Sequence, residues 1–159
     1  MRTDRGVRLV TDRELYERYG RALVAFASSL VGPPDAADVV HDAMAGLLAA
    51  RGLAEADNPR ALMYRAVFAR AKSTQRSAIR RRRRERRFAE SVVAHDPELR
   101  PDVAAAVVRL SPQQRACIYL TYWEDMAPAA VGELLSIAEG TVKRHLARAR
   151  ERLREVLDE

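Results

Sequence analysis

Apolar residues recur at spacings of three and four along most of this chain, and that periodicity predicts amphipathic α-helices. The first stripe lies near the N-terminus and consists of Leu15, Tyr19, Leu23, Phe26 and Leu30. Thr11 or Asp12 is a suitable N-cap for this helix, and the two prolines that follow Gly32 mark its end. Alternating strand patterns are nearly absent, so the sequence predicts an all-α protein.

The same periodicity predicts six further helices, which begin near residues 34, 58, 103, 112, 128 and 139. The fifth helix of the chain has the clearest start, because Ser111 is a good N-cap, Pro112 fits the first helical position and Gln114 completes a capping box. Residues 136–138 form a turn between the last two helices.

Residues 91–102 contain two prolines and no hydrophobic periodicity, which is typical of a linker. They separate two small helical domains, each of a size that is marginally stable alone. The predicted organisation is an N-terminal extension of residues 1–11, a helical domain of residues 12–90, the linker, and a second helical domain of residues 103–159.

The charge of the chain is concentrated in one segment. The 159 residues carry 28 basic and 22 acidic side chains, a formal net charge of +6. Residues 58–90 alone hold 12 basic and 2 acidic side chains, so the rest of the chain has no basic excess. This distribution favours a polyanionic partner such as nucleic acid.

The only cysteine, Cys117, lies in an apolar stretch, which favours a buried thiol without a catalytic role. No apolar run approaches the ~20 residues of a membrane-spanning helix, and the N-terminus leads into no secretory signal. We therefore expect a cytoplasmic protein with no membrane partner.

The last helix combines a buried face with a basic one. Val142, Leu146 and Ala149 share one side, whereas Arg144 and Arg148 point away from it. A helix docked in this way after a tight turn is how a helix-turn-helix presents side chains to the DNA major groove. The alternative is a surface helix whose glutamates and arginines pair with one another.

The second helix carries Asp35, Asp38 and Asp42 at spacings of three and four, with His41 beside them. A metal site is one interpretation, but one helix supplies only one edge of such a site. Exposed carboxylates that bind a basic partner protein are another. Acidic residues also stabilise the N-terminus of a helix without any partner.

The basic segment has the composition of a nucleic-acid contact. Arg65, Arg70, Lys72 and Arg76 can follow phosphates. Tyr64 and Phe68 are available to stack on unpaired bases, although packing in the core is an equally good interpretation of both rings.

Three motifs in the C-terminal half resemble region 4 of the sigma-70 family: residues 110–115 (LSPQQR), 122–126 (YWEDM) and 139–150 (EGTVKRHLARAR). Three more resemble region 2 in order and spacing: residues 15–19 (LYERY), 35–43 (DAADVVHDA) and 59–65 (PRALMYR). The resemblance spans roughly residues 12–157. It is strongest to the extracytoplasmic-function (ECF) group, whose members have only regions 2 and 4.

The resemblance implies a transcription initiation factor that binds core RNA polymerase, through the β′ clamp helices and the β flap, and promoter DNA. The implied −35 contacts in region 4 are Glu139, Thr141, Lys143, Arg144 and Arg148. The implied −10 contacts in region 2 are Tyr64, Arg65, Phe68, Arg70, Lys72 and Arg76. The implied polymerase contacts in region 2.2 are Asp35, Asp38, Val39, His41 and Asp42. Region 4 is expected to be a helix-turn-helix, winged-helix-like domain, and an anti-sigma factor is the usual regulator in this group.

The sequence also departs from the family pattern. Ala127 and Ala138 replace the usual Ser or Thr at two helix N-caps, a loss of ~1 kcal/mol each. Ser136 replaces a glycine that is common in the turn. Leu62 replaces a tryptophan and Ala69 a polar residue, and we expect these two changes to bear on promoter melting and on −10 preference.

Two other functions fit parts of the sequence. A stand-alone helix-turn-helix regulator would bind DNA without polymerase, but it needs dimerisation, and no zipper or repeat is present. A metal-dependent nucleic-acid enzyme would rest on the acidic second helix alone. As a sigma factor the chain is expected to have no catalytic residue, cofactor, metal or small-molecule substrate, because the polymerase carries out the chemistry.

Overall fold

The structure, a computed structural model, describes residues 11–50, 53, 56–84 and 101–157. Seven α-helices make up nearly all of this part of the chain, and no strand occurs within it. They are α1 (Asp12–Val31), α2 (Pro33–Ala49), α3 (Pro59–Arg84), α4 (Pro101–Val108), α5 (Pro112–Tyr122), α6 (Pro128–Leu135) and α7 (Glu139–Leu157). The prediction of an all-α fold is confirmed.

The first three helices pack against one another as one layer of the molecule. The Thr11 hydroxyl accepts from the backbone N–H of Glu14, whose carboxylate accepts from the backbone N–H of Thr11, so a capping box starts α1. Gly32 joins α1 to α2 at φ 89°, a left-handed conformation that glycine adopts readily. The apolar stripe of α1 is buried as its spacing predicts, with Leu23 and Phe26 fully enclosed.

The last four helices form a second layer in which α7 packs on α4, α5 and α6. A second capping box, between Ser111 and Gln114, starts α5 as predicted. Val131, Leu134 and Val142 are at most 1% exposed and fill the space between α6 and α7.

Two helices, α2 and α4, differ in their boundaries from the sequence-based expectation, and both begin early. Helix α4 begins at Pro101, inside the predicted linker, and ends at Val108 rather than Leu110. Helix α2 begins at Pro33, one residue early. In both cases proline is the first helical residue, where its fixed φ is favourable and its missing N–H costs nothing. The rest of the predicted linker, residues 91–100, and the extension of residues 1–10 lie outside the described residues.

The two layers are in contact. Helix α1 packs on α5, and α3 packs on α6, so that buried apolar residues of both layers form one cluster. Within the described ranges, no helix has the length and apolar character needed to cross a membrane.

Candidate nucleic-acid interface

Helix α7 has one buried and one exposed face. Val142, Leu146 and Ala149 are at most 5% exposed and dock the helix onto the core. Of the predicted DNA-contacting residues, Glu139, Lys143, Arg144 and Arg148 are exposed and Thr141 is half-buried. Arg144 and Arg148 lie opposite the buried face, whereas Glu139 precedes Val142 and Leu146 by three and seven positions and is exposed at the start of the helix. The outward side of α7 therefore presents Arg144 and Arg148, as a recognition helix requires.

The turn before α7 is tight, and it sets the direction of the helix. The backbone N–H of Ile137 donates to the carbonyl of Gly132 at 2.9 Å, which closes α6. A Cβ at Gly132 would lie 2.7 Å from the Ile137 carbonyl oxygen, so only glycine allows this approach. Ser136 stands in the left-handed conformation at φ 57°, where a glycine would be unstrained.

The two alanines that the sequence marks as missing caps behave as such. Ala127 is the N-cap of α6 and supplies no side-chain acceptor. At the start of α7, the Ala138 carbonyl accepts from the backbone N–H groups of Thr141 and Val142, but its methyl group cannot cap the free N–H groups of the first turn.

The exposed face of α7 is basic, but part of its positive charge is neutralised by an acidic side chain. Lys143 forms an ion pair with Glu139 at 2.6 Å, an exposed i,i+4 pair of small energetic value. Arg144 and Arg148 line a shallow surface depression together with Arg150, Arg154 and one acidic residue, Glu151. Partial burial and the positive charges of Arg148 and Arg144 lower the pKa of His145, which favours the neutral form of its imidazole. The positive charge of this face therefore comes from arginine.

Helix α3 divides the predicted −10 contacts into two groups. Arg65, Arg70 and Arg76 are exposed, and Lys72 is half-buried. Tyr64 and Phe68, in contrast, are 0% and 6% exposed. The structure therefore places both rings in the core, the alternative that the sequence left open, and base stacking by either ring stays a prediction.

Tyr64 is enclosed by aromatic and charged neighbours. Its ring centre lies 5.2 Å from that of Phe26, and the guanidinium of Arg60 lies 5.7 Å from it. Burial raises the pKa of the Tyr64 hydroxyl, and the nearby Glu124 carboxylate raises it further. The hydroxyl oxygen lies near the Glu124 carboxylate, but the two groups do not reach the geometry of a full hydrogen bond.

The predicted polymerase contacts lie on α2. Asp35, Asp38, His41 and Asp42 are exposed on its outer side. Val39 is 3% exposed and packs in the core, so the structure gives this residue a packing role rather than a surface one. In the described ranges no three His, Cys, Asp or Glu side chains are grouped as a metal site would require.

One predicted polymerase contact is paired with one predicted DNA contact. Nη2 of Arg70 lies 2.6 Å from the Asp42 carboxylate, which links α3 to α2. Both side chains are about half exposed, with fractions of 47% and 51%. Any partner that binds either residue must compete with the other.

The interface between the layers uses residues that the sequence analysis did not single out. Arg60 on α3 forms an ion pair with Glu124 at 2.8 Å, and the rings of Phe26 and Tyr119 are 5.4 Å apart. Because Arg60 and Glu124 are 64 positions apart, no local pattern in the sequence could indicate that they meet.

Cys117 is fully buried, and burial raises the pKa of its thiol to about 11. The thiolate is therefore rare at neutral pH, which agrees with the packing role expected for this residue.

Each of the two layers matches a known protein family. The sequence matches the family described as "Sigma-70 region 2" over residues 15–88. It matches the family described as "Sigma-70, region 4" over residues 101–153. Together the two matches take in most of the chain, in the order in which the helices α1–α3 and α4–α7 follow one another.

Three solved structures have the same fold. The chain is similar to the sigma factor RpoE in its co-crystal structure with the anti-sigma factor NepR from Bartonella quintana, with 27% identity and a TM-score of 0.77 over 92% of this chain and 96% of that one. It is also similar to a chain of the PhyRSL-NepR complex from Sphingomonas sp. Fr1, with 16% identity and a TM-score of 0.70 over 91% and 88%. For CnrH in complex with the cytosolic domain of CnrY, the values are 22% and 0.63 over 92% and 87%.

Proposed function

The chain belongs to the sigma-70 family, with a region 2 followed by a region 4, and we propose that it is a sigma factor of the ECF group that directs promoter-specific initiation by core RNA polymerase. The observation that carries this proposal is the exposed face of α7, where Arg144 and Arg148 lie opposite the buried residues that dock the helix. Arginine on such a face can bind guanine edges bidentately in the major groove.

Region 2 supplies the second DNA contact. Arg65, Arg70, Lys72 and Arg76 follow one another along α3, at the start of the segment that holds the entire basic excess of the chain. Contacts of this kind neutralise phosphates and hold an open strand without reading its sequence. In this proposal the −10 element is bound along α3.

The exposed carboxylates of α2 supply the polymerase contact. Asp35, Asp38 and Asp42, with His41, face solvent on one side of the helix. We assign this surface to the β′ clamp helices and region 4 to the β flap. The factor then adds specificity while the polymerase supplies catalysis in the cytoplasm, so that no cofactor, metal or substrate site is needed in this chain.

An anti-sigma factor is the proposed regulator. RpoE is bound to the anti-sigma factor NepR in the structure to which this chain is similar over nine tenths of its length. This similarity supports the same class of partner here.

The direct test is in vitro transcription with purified core polymerase on a pool of genomic promoter fragments. We expect initiation at a restricted set of promoters that share −35 and −10 elements. If the chain directs no specific initiation but shifts duplex DNA alone at physiological salt, it is a stand-alone helix-turn-helix regulator, and the proposal is wrong.

A substitution on α7 tests whether the exposed face of this helix recognises the −35 element. Arg144→Ala should relax selectivity at one −35 base pair by ~1–3 kcal/mol and leave the others unchanged. Arg13→Ala is the matched control, because Arg13 is an exposed arginine on α1 whose partner is Glu17. Uniform weakening over all promoters by Arg144→Ala would make Arg144 a phosphate contact instead.

A further inference from the structure

The C-terminal half of α7 carries two further arginines beside the reading face of the helix, which is formed by Arg144 and Arg148. Arg150 and Arg154 line the same shallow depression as those two residues, together with the small side chain of Ala147. All four arginines are exposed. The −35 contacts that the family resemblance implies end at Arg148, so they give no role to the other two.

Two parallel rows of side chains run along this side of α7, and their charges diverge. Positions 144, 148, 151 and 155 form the outward row, which begins with two arginines and ends with Glu151 and Glu155. Positions 143, 147, 150 and 154 form the row beside it, here called the flank row, which stays basic from Lys143 to Arg154. A polyanion that follows the outward row is therefore repelled at its end and attracted by the flank row.

The arginines of the flank row are not neutralised by a described residue. Nε of Arg150 donates to the carbonyl of Leu146 at 3.3 Å, which is a neutral group of its own helix. In the part of the chain that the structure describes, neither Arg150 nor Arg154 has a carboxylate within ion-pair distance. The helix dipole favours Arg154, which lies in the last turn, but it does not account for Arg150 one turn earlier. Both arginines are therefore available to an anion from outside the chain.

The presence of both arginines also has a cost for the helix. Arg150 and Arg154 are like charges four positions apart, and such a pair destabilises an isolated helix. Arg144 and Arg148 repeat the same arrangement on the outward row. A bound anion removes this repulsion, so the helix is better suited to a polyanionic partner than to solvent alone.

The spacing of the flank row fits one strand of a duplex. One helical turn separates Arg150 from Arg154, which is an advance of about 6 Å along α7. Phosphates of one DNA strand follow one another about every 3.4 Å along the duplex axis. Two long side chains on the same side of the helix can therefore each reach a phosphate of the same strand. Contacts of this kind fix the orientation of a recognition helix without reading sequence.

We propose that Arg150 and Arg154 bind backbone phosphates of one DNA strand at the edge of the −35 element and thereby set the inclination of α7 in the major groove. The proposal rests on the proposed function, since it takes α7 as the helix that reads this element. It divides α7 into a reading face and a flank row that binds phosphate without sequence preference. Glu151 ends the reading face, because its carboxylate repels the same strand.

The first test measures how salt affects the binding of a promoter fragment from the genomic pool to holoenzyme assembled from the full chain and core polymerase. Arg150→Ala and Arg154→Ala should each lower the affinity about fivefold at about 0.15 M salt. Each should also make the slope of log affinity against log salt shallower by about 0.9, the value of one phosphate contact. Unchanged slopes for both variants would overturn the proposal.

The matched control for this test is Arg152→Ala. Arg152 is an exposed arginine of the same helix, but its Nη1 donates to the carbonyl of Arg109 at 3.4 Å and it lies outside both rows. This variant should keep the wild-type slope. Circular dichroism shows that each variant retains its helix content.

The second test distinguishes phosphate contacts from base contacts. Arg150→Ala and Arg154→Ala should weaken binding to all −35 sequences by the same factor, whereas Arg144→Ala changes selectivity at one base pair. Arg150→Lys should recover most of the lost affinity, because lysine binds phosphate as a point charge but lacks the bidentate fork that a base edge requires. A changed sequence preference in either alanine variant of the flank row would overturn its assignment to phosphate.

The third test locates the strand with promoter fragments in which one phosphate at a time is replaced by a neutral methylphosphonate. Replacement of the phosphate that Arg150 binds should weaken wild-type binding about fivefold and leave Arg150→Ala unaffected. Arg154 should behave in the same way at a nearby phosphate of the same strand. Contacts on opposite strands would overturn the proposal.

The outcomes also separate this proposal from the proposed function. If no holoenzyme forms or no promoter is selected, the proposed function is wrong, and the salt slope of the full chain on duplex DNA still decides whether Arg150 and Arg154 bind phosphate. If both alanine variants weaken assembly with core polymerase but leave DNA binding by the assembled holoenzyme unchanged, the flank row contacts an acidic surface of polymerase and the present proposal is wrong.

Discussion

The two DNA-binding helices of this protein, α3 and α7, differ in how many sides they bury. Helix α7 packs by one face, and its predicted contacts Arg144 and Arg148 lie on the other. Helix α3 packs against α1 and α2 and also against α6, so part of its predicted contact surface is inside the molecule. A periodic pattern locates a binding face reliably only where the helix packs by a single face.

The net charge of the two regions differs in the opposite sense, because the region whose DNA-binding helix is more buried carries more positive charge. Residues 58–90 hold the whole basic excess, whereas residues 128–159 carry six basic and six acidic side chains. Yet arginines of α3 are bound within the chain, among them Arg60 by Glu124, Arg65 by α6 and Arg70 by Asp42, while arginines of α7 lie together on an open surface. Helix α7, which lies in the segment with less net charge, is therefore the one whose predicted DNA-contacting arginines are exposed without a hydrogen bond or ion pair to another described helix.

The difference in burial between α3 and α7 is tested most strongly at Tyr64 of α3. If this ring is a core residue, Tyr64→Ala should lower the free energy of unfolding by about 3–5 kcal/mol through loss of a buried aromatic side chain. Tyr64→Phe should be nearly neutral, because the hydroxyl makes only a weak contact with the Glu124 carboxylate. Chemical denaturation of both variants measures the difference.

The contrary outcome for Tyr64 is equally specific. A stable Tyr64→Ala chain that binds core polymerase normally but fails to open promoters would place the ring on DNA, and α3 would then resemble α7 in having an open reading face.

Most of the fold follows from the sequence, because helix signals are local. The capping boxes of Thr11 and Ser111 and the stripes on α1 and α7 involve residues three or four apart, so the predicted helices and buried faces are confirmed. The two helix starts that moved, at Pro33 and Pro101, are places where proline can either precede or begin a helix.

The candidate site likewise has a part that the sequence predicts and a part that it does not. The face of α7 was predictable, since one helix carries it. The burial of Tyr64 and Phe68 and the contacts of Arg60 and Arg65 with region 4 were not, because they depend on how helices more than 60 positions apart meet. Long-range packing decides which side of α3 is free, and it leaves no periodic signal in the chain.

The second prediction concerns the acidic side of region 2. Asp38→Arg should weaken binding to core polymerase by about tenfold, or ~1.4 kcal/mol, because an exposed carboxylate is replaced by a charge that repels a basic partner. Asp57→Arg is the control, since Asp57 is exposed in the same region but lies outside α2. Equal polymerase affinity for Asp38→Arg and the wild type in a fluorescence binding assay would remove α2 from the interface and leave region 2 with DNA contacts only.

The smallest predicted effect is a gain in region 4. Ala127 already has the extended backbone of an N-cap, with φ −63° and ψ 147°, but no side-chain acceptor. Ala127→Ser should therefore stabilise α6 by ~1 kcal/mol, the usual value of an N-cap hydroxyl. Ala129→Ser, an exposed position inside the first turn, is the control and should be neutral or slightly destabilising. Amide hydrogen exchange measures both, and the gain should appear in α6 and α7 before it appears in α1–α3. Equal protection of all seven helices by Ala127→Ser would mean that the two regions unfold as one unit, so that the contact between α3 and α6 couples them more tightly than their separate packing layers suggest.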